Sequence, residues 1–183
     1  MIVTWHLDLR LIQERMTAMT FDYCPKCGNK LDDMRCGDDD CKICPSCNKV
    51  YGSSPFPVVE VLVVNEFHEV LLLKQNYIST SKWTVVSGYM NDGETIEEAI
   101  AREVKEETGQ DVIKCQYVSS YYFEPKQLIM IGFIAYVNKS DFGKSTEVDD
   151  IRWYQLYEVD DVIARENNCS GMHFDKCRMY FGM

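Results

Sequence analysis

Residues Gly88 to Gly109 read G-Y-M-N-D-G-E-T-I-E-E-A-I-A-R-E-V-K-E-E-T-G. The stretch divides into a loop and an acidic helix. Gly88, Asn91, Asp92 and Gly93 are turn formers, which predicts a loop over Tyr89 to Gly93. From Glu94 onward the pattern is helical. Ile96, Ala99, Ile100, Val104 and Thr108 recur at the spacing of one helix face. Gly109 follows the last of them and serves as the C-cap.

The other face is acidic. Glu103, Glu106 and Glu107 lie at i, i+3 and i+4, so the spacing predicts that they project to nearly the same side. Like charges this close repel on an exposed helix, by a few tenths of a kcal/mol per pair. A divalent cation converts that repulsion into binding, and all-oxygen ligands suit a hard ion such as Mg²⁺ or Mn²⁺. Arg102 follows Glu94 by about two helical turns and is spaced to tie the loop end to the helix. An isolated E-x-x-E-E also fits a solvated acidic face. The full spacing, G-x5-E-x7-R-E-V-x-E-E-x-G, is far more demanding.

That spacing resembles the signature of the Nudix hydrolases. Gly88, Glu94, Arg102, Glu103, Val104, Glu106, Glu107 and Gly109 match it in register. Gln110 departs from it, standing where the family usually has an aliphatic residue. The resemblance implies an α+β Nudix fold, a mixed β-sheet sandwiched between helices. It also implies hydrolysis of a nucleoside diphosphate linked to another moiety.

Composition bounds the rest. A chain of 183 residues holds one sizeable domain and a small accessory. The net charge of −10 argues against a surface that wraps nucleic acid. No apolar run approaches a membrane span, and the first residues lack a basic start and a sustained apolar core. Both features predict a cytoplasmic protein without a membrane partner.

Six of the nine cysteines fall within residues 24–47. Cys24-Pro-Lys-Cys27 and Cys44-Pro-Ser-Cys47 are paired C-x2-C knuckles, the spacing of a Cys₄ zinc ribbon. A segment this small lacks a core of its own, so a structural Zn²⁺ would supply its folding energy. Cys36 and Cys41 leave two further options: they pair with each other, or Cys41 replaces one of the four. The predicted organisation is an N-terminal arm over 1–20, a ribbon over 21–54 and a hydrolase domain over 55–183. Pro55-Phe56-Pro57 is the stiff linker. Strands are expected at Val58 to Val64, Val70 to Lys74, Trp83 to Ser87, Val112 to Tyr122, Leu128 to Val137 and Ile151 to Leu156. Short helices are expected at Glu158 to Ala164 and Phe174 to Phe181.

The chemistry follows from the carboxylates. Glu103, Glu106 and Glu107 are the expected Mg²⁺ or Mn²⁺ ligands, which neutralises a pyrophosphate and acidifies a water. Glu94 and Arg102 hold the loop against the helix. A carboxylate takes the proton of the attacking water. Glu147, six residues before Trp153, resembles a further acidic metal ligand of the NADH pyrophosphatase branch. Three features resemble that branch: the ribbon before the domain, Tyr89 after the box glycine, and the segment Ser119 to Leu128. Within the last, Ser119, Tyr122, Pro125 and Leu128 fit the branch motif and the intervening residues differ. The resemblance implies that Tyr89 and Tyr122 contact the substrate and that the protein is a homodimer. The expected substrate is NAD(H) or a related dinucleotide. ADP-ribose and NAD-capped RNA are rivals, and net acidity counts against strong RNA binding. A non-catalytic nucleotide sensor is the reading from a different class.

Overall fold

The computed structural model describes residues 21–36, 39–52, 55–143, 146–166 and 169–182. The arm expected over residues 1–20 lies outside them. The described chain forms two separate sheets.

The first sheet is small and antiparallel. Its strands are β1 (Asp32–Cys36), β2 (Asp39–Ile43) and β3 (Val50–Gly52), in that spatial order. One cysteine knuckle precedes β1 and the other joins β2 to β3. The two turns repeat one geometry. Gly28 N–H donates to the Cys24 carbonyl at 2.8 Å, and Asn48 N–H donates to the Cys44 carbonyl at 2.9 Å. Both closing residues have positive φ, which glycine and asparagine tolerate best. Cys36 and Cys41 are out of register: Cys41 lies across from Met34, and Cys36 across from Asp39.

The second sheet runs in the order β7–β8–β4–β5–β9, with β6 paired to β4. The strands are β4 (Phe56–Asn65), β5 (Glu69–Lys74), β6 (Val86–Tyr89), β7 (Val112–Phe123), β8 (Leu128–Val137) and β9 (Asp150–Gln155). The centre is β4, buried from Val58 to Asn65. It runs parallel to β8 over ten residue pairs, from Phe56 with Leu128 to Asn65 with Val137. Its other edge is shared: β6 pairs with Val58 to Val61, and β5 with Val63 and Val64.

Alternation along β4 sends side chains to two cores. Val59, Val61 and Val63 pack against helix α1 (Ile96–Thr108) through Ala99, Ile100 and Val104. Leu62 and Val64 face Ile163 and the C-terminal helix α3 (Cys169–Arg178) through Phe174 and Cys177. A short helix α2 (Val159–Val162) contributes Val159 to that second core. The expected α+β layering, a mixed sheet between helices, is present. Each fully buried Val, Leu or Ile contributes roughly 1.5–3 kcal/mol.

Several boundaries differ from expectation. Phe56 and Pro57, expected in a stiff linker, are the first residues of β4. The strand expected at Trp83 to Ser87 begins at Val86 and continues through Gly88 to Tyr89, so Tyr89 is strand and not loop. Trp83 and Thr84 make only isolated bridges, to Ile163 and Leu73. The helix expected over Glu158 to Ala164 contracts to α2, preceded by a tight 3₁₀ turn at Leu156–Glu158. Helix α3 starts at Cys169, five residues earlier than expected. It buries Ser170, Gly171 and His173 beside Phe174 and Cys177, so small and polar residues mask its inward face in the sequence.

Candidate functional site

Helix α1 is placed by its ends. Thr95 is the N-cap of a reciprocal capping box: its hydroxyl accepts from Glu98 N–H at 3.3 Å, and Glu98 Oε2 accepts from Thr95 N–H at 2.9 Å. Gly109 closes the C-terminus at φ 77°, and a Cβ there would meet the Gly143 backbone nitrogen at 2.4 Å. No other residue fits both conditions.

Arg102 is the hub between loop and helix. Its guanidinium donates to both Glu94 oxygens, at 2.7 and 2.8 Å, and to the Tyr89 carbonyl at 3.0 Å. The third arm donates to Glu103 Oε1 at 2.5 Å and reaches Glu106 Oε2 at 3.4 Å. The bidentate bond to Arg102 holds Glu94 down at about 2.

The three box carboxylates sit at three depths. Glu106 is exposed, Glu103 is mostly buried and Glu107 is almost completely buried. Glu107 therefore lies at the margin of the apolar face and not on a wholly solvated side. Burial pushes its carboxyl well above the usual range, and the charges of Glu103 and Glu147 add to the effect. Its Oε1 accepts from Gln75 Nε2 at 3.0 Å, while Oε2 is buried without a partner. Gln75 is in turn oriented by the Thr84 hydroxyl, which donates to its Oε1 at 3.0 Å. Glu103 presses against Gly88, where a Cβ would fall 1.9 Å from the carboxyl carbon. The glycine in the strand is thus the space that the carboxylate uses.

An orphaned oxygen beside other carboxylates fits a hard cation. Arg102 pairs with two of these carboxylates, Glu103 closely and Glu106 at 3.4 Å. Glu147 is half-buried in the loop before β9, and its effect on Glu107 joins it to the same cluster.

The four cysteines behave differently. The sulfurs of Cys24, Cys27, Cys44 and Cys47 all lie within 4.8 Å of one another. The separations Cys24–Cys47 and Cys27–Cys44 are 3.5 Å, and Cys27–Cys47 is 3.9 Å. A tetrahedral ion with metal–sulfur bonds near 2.3 Å requires about 3.8 Å. The cluster is arranged to hold a metal ion. Cys36 and Cys41 are outside it, which removes Cys41 as a substitute ligand. The Tyr51 hydroxyl lies 3.2 Å from Cys24 Sγ and holds that thiol down at about 6.

A cleft of about 740 Å³ opens in front of β6, lined by Ser87, Gly88 and Tyr89. One end is apolar, with Val58, Phe123, Leu128 and Met130, and Lys82 and Lys126 stand on its walls. Tyr89 is part of this lining and packs edge-on against Phe56 at 6.2 Å. Tyr122 is exposed and is not among the lining residues. Strand alternation turns Tyr121 and Phe123 inward instead. Sequence reasoning missed Gln75, Thr84 and Phe123. The first two carry no motif. Phe123 is one position from the residue chosen, and the aromatic run Tyr121-Tyr122-Phe123 does not show which phase faces inward.

The sequence matches the NUDIX domain model over residues 55–170. The NAD-capped RNA hydrolase NudC of Vibrio atlanticus (strain LGP32) is 31% identical over 160 residues, covering 84% of this chain and 56% of that protein. The human NAD-capped RNA hydrolase NUDT12 is 31% identical over 156 residues, covering 79% of this chain and 33% of its own length. The chain thus spans about half of the bacterial relative and a third of the human one. A crystal structure of a NUDIX hydrolase from Nitrosomonas europaea superposes with a TM-score of 0.69 at 25% identity, covering 88% of this chain and 91% of that one. Signature residues, sheet order and family match agree, and the chain belongs to the Nudix hydrolase family.

Proposed function

We propose that this protein is a metal-dependent pyrophosphohydrolase that cleaves the diphosphate of an NAD-type cap at an RNA end, or of the corresponding free dinucleotide. The observation that carries the reading is the buried, orphaned Glu107 oxygen, set beside Glu103 and Glu147 behind the strand that lines the cleft. Relatives named as NAD-capped RNA hydrolases support the choice of the capped end over free NAD(H).

Glu103, Glu106, Glu107 and Glu147 would hold Mg²⁺ or Mn²⁺, which supplies masking of phosphate charge and a more acidic water. The protein's own groups do the rest. Gly88 leaves room for Glu103, and Arg102, bonded to Glu94 and to the Tyr89 carbonyl, ties the loop after β6 to the end of that strand. Tyr89 and Phe123 offer ring faces to a base or nicotinamide in the apolar end of the cleft. Lys82 and Lys126 line the cleft and would offer positive charge to a diphosphate there. A box carboxylate takes the proton from the attacking water.

The four thiolates would hold a structural Zn²⁺, with every tetrahedral position filled by protein. We take residues 21–54 as the ribbon and 55–183 as the hydrolase unit, with two separate sheets and the matched segment 55–170 in support. The ribbon segment 21–52 carries five Lys or Arg against six Asp, which favours reading a cap over gripping an RNA body. A homodimer and a cytoplasmic location remain part of this proposal. No helix among the described residues is long and apolar enough to cross a membrane.

The test is kcat/KM with Mg²⁺ or Mn²⁺ on NAD-capped RNA, NADH, NAD⁺, ADP-ribose and diadenosine polyphosphates. Preference for the capped RNA is expected. A clear preference for free NADH would return the protein to the dinucleotide reading. Tight binding with no turnover of any compound would make it a sensor.

A further inference from the structure

Glu60 stands in the middle of β4, in a run read from sequence as apolar, and is fully buried. Its partners across the sheet are Ser87 on β6 and Gly132 on β8. Oε2 accepts a hydrogen bond from the Tyr121 hydroxyl at 2.8 Å, and Oε1 has no hydrogen-bond partner. A half-satisfied buried carboxyl is destabilising, and a valine would serve core packing better.

What surrounds it suggests the reason. Tyr121 is two residues from Phe123, which lines the apolar end of the cleft. The Cys169 thiol, at the start of α3, lies against the same carboxyl and lines the same cleft. Both belong to one apolar cluster with Val58, Tyr89, Leu128 and Met130. Lys176 of α3 lies 3.8 Å from the centre of the Tyr121 ring. Glu60 is therefore joined to two walls of the slot from behind.

We propose that Glu60 is a positioning residue for the cleft: from behind, it ties the Tyr121–Phe123 wall of β7 and the Cys169 wall of α3 at the width of the slot, and as the carboxylate its buried charge opposes an anionic substrate. This inference rests on the cleft being the substrate site.

The groups that face or influence Glu60 are Tyr121 from β7 and Cys169, Lys176 and Cys177 from α3. His173, also on α3, lies over the neighbouring Gly132. Burial pushes Glu60 up to about 7 and Cys169 up to about 12, and drives His173 down to about 4. Tyr121 and Cys177 are pushed up as well. Of these shifted groups, Glu60 is the one that changes charge near neutrality.

The experiment compares the wild type with Glu60→Gln, using NAD⁺ at saturating metal, from about pH 5.5 to about 9. The diphosphate of NAD⁺ has no ionisation in that range. Wild-type KM is expected to rise about 3- to 10-fold as the pH passes about 7, with kcat following the metal site instead. Glu60→Gln is expected to keep the low-pH KM throughout. Tyr121→Phe removes the one donor to Oε2 and should move the wild-type break to higher pH.

Thermal melts give a readout independent of turnover. The folded carboxyl ionises above its unfolded value, so its contribution is greatest at low pH and is lost as pH rises toward about 7. The wild-type Tm should fall relative to Glu60→Gln across that window. Parallel KM profiles in the two proteins, with the melt difference present, would overturn the link to the cleft. Coincident melts would overturn the buried titration itself. No turnover of any dinucleotide or capped RNA would instead bring down the proposed function, a failure that the melts would leave visible as such.

Discussion

The ribbon and the box helix are the two places where metal-type donors gather, and they are built oppositely. In the ribbon, two repeated turns bring four sulfurs to nearly tetrahedral separations. In the box, the carboxylates span the range from exposed to buried, and Arg102 pairs with two of them. A closed sulfur site leaves no position for substrate, which suits structure. An open, unevenly buried oxygen site keeps positions for water and phosphate, which suits chemistry.

The strongest challenge to this contrast is Glu107→Gln. It removes the charge behind the orphaned oxygen and keeps the Gln75 contact within reach. Turnover should drop by about 10²-fold or more, with an unchanged fold by circular dichroism. Near-normal kcat would place the catalytic cation elsewhere. The ribbon should respond in the reverse way. Elemental analysis of the wild type is expected to find about one zinc per chain, and Cys44→Ser is expected to lose it and to unfold residues 21–52. In hydrogen exchange, the six-stranded sheet should keep its protection. Loss of protection in both would mean that the two units are one cooperative body.

Arg102 offers a middle-sized test. Arg102→Met leaves Glu94 and Glu103 without their shared cation, and a loss of about 2 kcal/mol in denaturant melts is expected at neutral pH. Acid titration sharpens the same point. The folded Glu94 carboxyl ionises below its unfolded value, so its stabilisation is full above about pH 5 and disappears as pH falls toward about 2. Glu94→Gln should flatten that limb of the Tm curve, and an unchanged limb would mean that the pair is not formed. The smallest effect belongs to the helix entry: Thr95→Ala should cost about 1 kcal/mol while leaving the metal response intact.

The fold was legible where periodicity was clean. Val58 to Val64, Leu128 to Val137 and the stripe from Ile96 to Thr108 announced their elements, because continuous apolar runs and helical spacing follow directly from burial. The same logic failed on α3, whose inner face carries Ser170, Gly171 and His173, and on Glu60, concealed among valines. At the site, the Arg102–Glu94 tie was readable from a two-turn spacing. The depth of Glu107 was not, since depth depends on what β4 and Gln75 place against the helix. Gln75 and Thr84 are silent in sequence because a hydrogen-bond relay between elements has no period. The Tyr122 and Phe123 choice turned on strand phase, which a short aromatic run does not reveal.

The parallel pairing of β4 with β8 has a kinetic consequence. Residues 56–65 leave the ribosome about seventy positions before residues 128–137, their longest partner. In between, the whole acidic helix is made with its apolar stripe lacking a finished sheet to cover it. The ribbon, complete by residue 52, closes on local contacts alone. Non-local pairing of this kind is slow and exposes strand edges while it waits. In refolding after a denaturant jump, the sulfur-bearing hairpins should therefore gain their signal first, and the slow phase should report the arrival of β8 beside β4.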